Sequence, residues 1–94
     1  MQFMVIERFK ENDMVPIDRK LRDGSRMLRA GLKYIDSWVV ADDRMDTCFQ
    51  LMETDDPSLF DVWLDNWRDL GTFEIYPVFD SASAAAHVQV DWDG

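Results

Sequence analysis

Apolar residues run almost unbroken, on both parities, through Phe3-Met-Val-Ile-Glu-Arg-Phe9, the pattern of a central β-strand buried on two sides. The period then lengthens. Met14, Ile17, Leu21, Gly24 and Leu28 recur at steps of 3, 4, 3 and 4, which predicts one helix with a single apolar stripe. Glu11-Asn12-Asp13 offers its N-cap, and Pro16 is tolerable in its first turn. Arg19, Lys20, Arg22, Arg26 and Arg29 fall on the remaining faces, and Gly31 suits a left-handed residue at the helix end, with Leu32 packing back.

Two strands are expected next, over 32–41 and 47–54, joined by the polar connection Asp42-Asp43-Arg44-Met45-Asp46. Asp55-Asp56-Pro57 places a carboxylate before a proline, the clearest helix start in the chain. Phe60, Trp63, Trp67 and Leu70 then form an apolar stripe opposite Asp61, Asp65 and Asp69, and Gly71 closes that helix. Residues 72–79 read as a last strand, with Pro77 marking an edge position or strand end. In the tail, Ser81 to Ala86 suits a short helix, while Val88, Val90 and Trp92 alternate like a strand. The order is βαββαβ: one ferredoxin-like α+β domain over 1–80, a four-stranded antiparallel sheet with two helices on one face, and a C-terminal tail over 81–94.

A hairpin closed around 42–46 pairs Val40 with Cys48, Trp38 with Gln50 and Asp36 with Met52. Extending that parity assigns Met4, Ile6, Ile35, Val39, Phe49, Leu51, Phe73 and Ile75 to a dry face under the helices. The other face then collects Phe3, Val5, Glu7, Phe9, Tyr34, Asp36, Trp38, Cys48, Gln50, Met52, Glu74, Tyr76 and Val78. It carries too much apolar area to stay in water, and a second copy, sheet against sheet, is the simplest cover.

The segments Phe3–Phe9, Tyr34-Ile-Asp-Ser-Trp38, Cys48-Phe-Gln-Leu-Met-Glu53, Asp55-Asp-Pro-Ser-Leu59 and Phe73-Glu-Ile-Tyr-Pro-Val78 resemble a family of small bacterial proteins catalogued as a domain of unknown function. That family is similar to the dimeric α/β-barrel superfamily. The resemblance covers about residues 2–80 and implies the fold and a face-to-face homodimer. It implies no reaction, and the superfamily's monooxygenases, isomerases and stress-response proteins offer analogy only.

Composition narrows the function classes. At 94 residues and 47% hydrophobic content, the chain holds enough for one small core. The net charge of −9 argues against nucleic-acid and anionic-membrane partners. It is unevenly divided: eight of the ten basic residues precede residue 34, against five of the nineteen acids. No apolar run is long enough to span a membrane, no signal peptide is visible at the start, and one cysteine fits a reducing cytoplasm.

Cofactor chemistry finds little support. His87 and Cys48 are the only His/Cys ligands, too few for zinc, and the four glycines form no nucleotide-binding loop. No metal or cofactor is expected. His87 reads as a solvated tail residue and Cys48 as an inert core thiol. What remains is the group Glu7, Asp36, Trp38 and Gln50, expected to line one polar, aromatic cavity or seam on the sheet face away from the helices. A carboxylate held there is a candidate proton shuttle for a small-molecule ligand. Two functions follow: a small-molecule-binding domain or cofactor-free enzyme, or a non-catalytic interaction or scaffolding module whose sheet face serves dimerisation.

Overall fold

In a computed structural model, residues 1–10, 15–24 and 26–88 are described. The elements are β1 (Gln2–Phe9), α1 (Val15–Gly24), β2 (Lys33–Val39), β3 (Thr47–Glu53), α2 (Leu59–Leu64), β4 (Gly71–Val78) and α3 (Ser81–Val88). The strands form one antiparallel sheet in the order β2-β3-β1-β4, so β1, apolar on both parities, sits inside as expected. Pro77 lies on β4, an edge strand, where its missing N–H costs no ladder bond toward a further neighbour. The α+β, ferredoxin-like architecture read from the sequence is therefore the architecture of the chain.

The core lies between one face of the sheet and the first two helices. Phe3, Val5, Phe9, Cys48 and Met52 from the sheet cluster with Ile17 of α1, with Phe60, Trp63 and Leu64 of α2, and with Trp67 just beyond it. Phe60 packs edge-on against both Phe3 (5.2 Å between ring centres) and Trp63 (6.4 Å), the geometry that aromatic quadrupoles favour. Helix α3 contributes no buried residue.

Four details differ from the sequence reading. Helix α1 ends at Gly24, so Leu28, Arg26 and Arg29 belong to the connection that follows, and Gly24 acts as a stop signal. Gly31 does take a positive φ of 90°, but in the turn that feeds β2. Asp56 caps the second helical segment by accepting from the Ser58 N–H at 3.1 Å, yet the α-helix is brief: beyond Leu64, bonds such as Leu70 N–H to Trp67 C=O tighten the chain into three-residue turns. Gly71 opens β4 instead of closing a helix, and a Cβ there would stand 2.8 Å from the Arg8 carbonyl oxygen. The expected N-cap at 11–13, Met14, and the tail positions Val90 and Trp92 lie outside the described residues.

The hairpin register is the consequential correction. Val39 pairs with Cys48, Trp38 with Phe49, Ser37 with Gln50 and Asp36 with Leu51, one residue away from the expected pairing. The cause is in the loop. Asp42 Oδ1 accepts from the N–H groups of Arg44 (3.0 Å) and Met45 (2.8 Å), Met45 turns left-handed (φ 47°), and Val40 N–H closes onto Thr47 C=O. A bulge between Tyr34 and Asp36 then restores the expected parity for Tyr34, which lies opposite Met52.

Candidate functional site: a helix-covered cavity around Glu7

The one-residue slip redistributes the four candidate residues. Glu7, Gln50, Cys48, Val5 and Phe3 share a face as the sequence indicated, but that face is the one beneath the helices. Asp36 and Trp38 point to the other side, in register with Leu51 and Phe49. There Asp36 accepts from the Ser37 N–H at 2.8 Å, and Trp38 is 51% exposed. Glu7 and Gln50 therefore meet, and Asp36 and Trp38 do not join them. On β4, Phe73 and Ile75 do lie under the helices as expected, but in company with Val5 and Glu7 instead of Met4 and Ile6, while Glu74 and Tyr76 lie outward beside Ile6 and Met4. Nothing in the parity of a strand apolar on both sides says which side the helices cover.

A cavity of about 200 Å³ opens between this inner face and the helices. Its sheet wall is Glu7 and Phe9 of β1, Ser37 and Val39 of β2, Cys48 and Gln50 of β3, and Phe73 of β4. Ile17, Asp18 and Leu21 of α1 form a second wall, Trp63 and Trp67 a third, and Arg26 completes the lining.

The polar groups form one chain of contacts. Arg26 Nη1 donates to Gln50 Oε1 at 3.3 Å, and Gln50 Nε2 donates to Glu7 Oε1 at 3.4 Å. Both contacts are long, so they orient the groups more than they bind them. Arg26 is itself fixed from two sides. Its guanidinium lies 3.7 Å from the centre of the Tyr34 ring, and its carbonyl accepts the Trp63 indole N–H at 2.7 Å. Tyr34 is steadied by a 2.6 Å hydrogen bond between its hydroxyl and that of Ser37.

Burial dominates the electrostatics. Glu7 is 4% exposed, and loss of solvation raises its pKa from the usual carboxylate value to about 7, against the opposing pull of Arg26. The same burial, reinforced by the Glu7 charge, pushes the Cys48 thiol up to about 11. Cys48 is thus a buried thiol at neutral pH, as its strand position suggested, and no ready nucleophile. Glu7 is the opposite case: a group that changes charge near neutrality inside an aromatic cavity.

Three participants escaped the sequence reading. The apolar stripe puts Arg26 on another face of a helix that in fact stops before it, and Gly24 is the signal that marks the stop. Trp63 and Trp67, on the apolar stripe of the second helical segment, are core residues, and each also lines the cavity. His87 is exposed and stacks on Phe79 at 5.3 Å, outside the cavity lining.

The family model for a Domain of unknown function (DUF3303) matches residues 1–90. The chain belongs to this DUF3303 family. The match runs past the residue-80 limit of the resemblance and takes in α3, so the helix after β4 lies within the family's domain. No curated protein and no solved structure matches the chain. Among the described residues, no group of three or more His, Cys, Asp or Glu side chains is placed to hold a metal ion, and no helix is long and apolar enough to cross a membrane.

Proposed function

We propose that this DUF3303 protein binds a small, single-ring molecule between sheet and helices, with Glu7 exchanging a proton with it. The observation that carries the reading is Glu7 itself, a carboxyl almost wholly buried in the wall of an aromatic cavity. Desolvating a carboxylate costs on the order of several kcal/mol, and the single long contact from Gln50 at 3.4 Å offsets little of it. Size sets the ligand: an apolar cavity of about 150 Å³ takes benzene, so this one suits one ring with a polar substituent. As a carboxylate Glu7 accepts a hydroxyl proton, and as an acid it donates one, the two states being near balance at neutral pH.

The open face of the sheet supports a homodimer as the working unit. Trp38 and Tyr76 are 51% and 49% exposed there, beside the half-buried Met4, Ile6, Phe49 and Leu51, and no described element of the chain covers them. A second copy packed sheet to sheet buries this face and leaves each cavity intact on the far side. The family resemblance and the single unpaired Cys48 support placing this dimer in a bacterial cytoplasm.

Phenol is a suitable first probe. In a titration followed by the indole N–H resonances, those of Trp63 and Trp67 should move, while Trp38, on the opposite face, stays fixed. Movement of Trp38 alone, or of none, overturns the cavity as the binding site.

A further inference from the structure

Of the groups lining the cavity, Arg26 has the most unspent hydrogen-bonding capacity. A guanidinium carries five N–H donors, and Arg26 gives one to Gln50 at 3.3 Å. No described carboxylate oxygen lies within 4.0 Å of it, whereas Arg8 and Arg68 both have such partners. Gln50 has less to spare: its oxygen already accepts from Arg26 and one amide N–H is turned to Glu7, which leaves one lone pair and one N–H. Arg26 is half-buried, and its ring contact with Tyr34 and the Trp63 bond to its backbone hold it in the cavity wall.

Resting on the cavity reading above, we propose that the ligand is a small aromatic carboxylate, its head taken by Arg26 and its ring by Phe9, Trp63, Trp67 and Phe73. The planar fork of Arg26 matches a carboxylate with two parallel hydrogen bonds, and the aromatic walls supply the complement of an apolar ring. The anion enters a site whose other charges bear on it. Asp18 faces the cavity from α1, Glu7 from β1 and Cys48 from β3, while Trp63, Trp67, Phe73, Ser37 and Val39 add no charge. Cys48 stays neutral across the working range, so Glu7 is the group whose ionisation opposes the ligand as pH rises. Binding therefore draws a proton onto Glu7 and weakens, by about tenfold, from pH 6 to pH 8.

The test compares benzoate with its neutral analogue benzyl alcohol, by calorimetry and by the Trp63 and Trp67 indole resonances. At pH 6, benzoate should bind the native protein about tenfold more tightly than benzyl alcohol. Arg26→Gln should erase that preference, weakening benzoate about tenfold more than benzyl alcohol. Arg26→Lys, which keeps the charge without the fork, should retain part of it. Glu7→Gln should keep the preference and lose its pH dependence. Equal binding of the two probes by the native protein, with both indoles responding, overturns the carboxylate assignment and leaves the cavity reading standing. If neither probe moves either indole, both readings fall together.

Discussion

The side-chain amide of Gln50 reaches diagonally across the β1–β3 ladder to the carboxyl of Glu7, 3.4 Å away, and on its other side accepts from Arg26. This places a hydrogen-bonded acid, 4% exposed, in the wall of the only-part-filled space between sheet and helices. The consequences for stability can be measured without knowing the ligand.

Glu7 makes the fold sensitive to pH in a definite direction. Its folded pKa, about 7, lies above the 4.5 of an exposed glutamate, so the folded state holds the proton more tightly than the unfolded state. The associated stability is complete below about pH 4.5 and is lost as pH rises through 7, on the order of 3 kcal/mol in all. Urea unfolding from pH 5 to 8 should show native stability falling relative to Glu7→Gln, with the variant the more stable protein at pH 8. Parallel curves for the two proteins would show that Glu7 titrates normally.

How much of this was legible in the chain depends on which signal is asked. Strand β1 was read to within a residue because Phe3 through Phe9 leave no room for another period, and the parity joining Glu7, Cys48 and Gln50 followed from it. Asp36 and Trp38 were misplaced because the 42–46 loop spends a residue on the Asp42 turn and the left-handed Met45, a choice that an Asp-Asp-Arg-Met-Asp string does not announce. Arg26 was hidden by continuing a 3.6-residue stripe through Gly24 to Leu28. The side of the sheet under the helices is a property of three-dimensional chain path, and β1, apolar on both parities, carries no mark of it.

Trp63 ties the second helical segment to Arg26. Trp63→Phe removes the 2.7 Å bond to the Arg26 carbonyl and opens extra space under α2, and should cost about 2–3 kcal/mol in thermal or urea unfolding. Because Arg26 loses an anchor, the same variant should weaken benzoate more than benzyl alcohol. A loss of stability with unchanged selectivity would separate the packing role of Trp63 from its hold on Arg26.

Gly71 is required by a close approach. In Gly71→Ala the new methyl lies 2.8 Å from the Arg8 carbonyl oxygen, a backbone atom that moves only with the β1–β4 edge. Destabilisation of about 2 kcal/mol is expected, with hydrogen-exchange protection lost first at Lys10, whose N–H bonds the Leu70 carbonyl, before Phe9, whose N–H bonds Asp46 on the far side of β1. Protection lost uniformly across the sheet would contradict this local origin.

Trp38 separates assembly from ligand binding. Trp38→Glu places a charge on the open sheet face, on the side of β2 opposite the cavity, and should convert the proposed dimer of twice the 11.1 kDa chain mass into a monomer in sedimentation experiments. Folding should be retained, since Trp38 is half exposed in the single chain. A variant that sediments like the native protein would remove the sheet-to-sheet dimer from the account.

The proton-exchanging cavity is tested most directly by following the side-chain carboxyl carbon of Glu7 by NMR across pH, with and without saturating phenol. A midpoint near 7 in the free protein, displaced by about half a unit or more when phenol binds, is the expected result. A midpoint near 4.5, or one that phenol leaves in place while the Trp63 and Trp67 indoles respond, would contradict a role for Glu7 in exchanging a proton with the ligand.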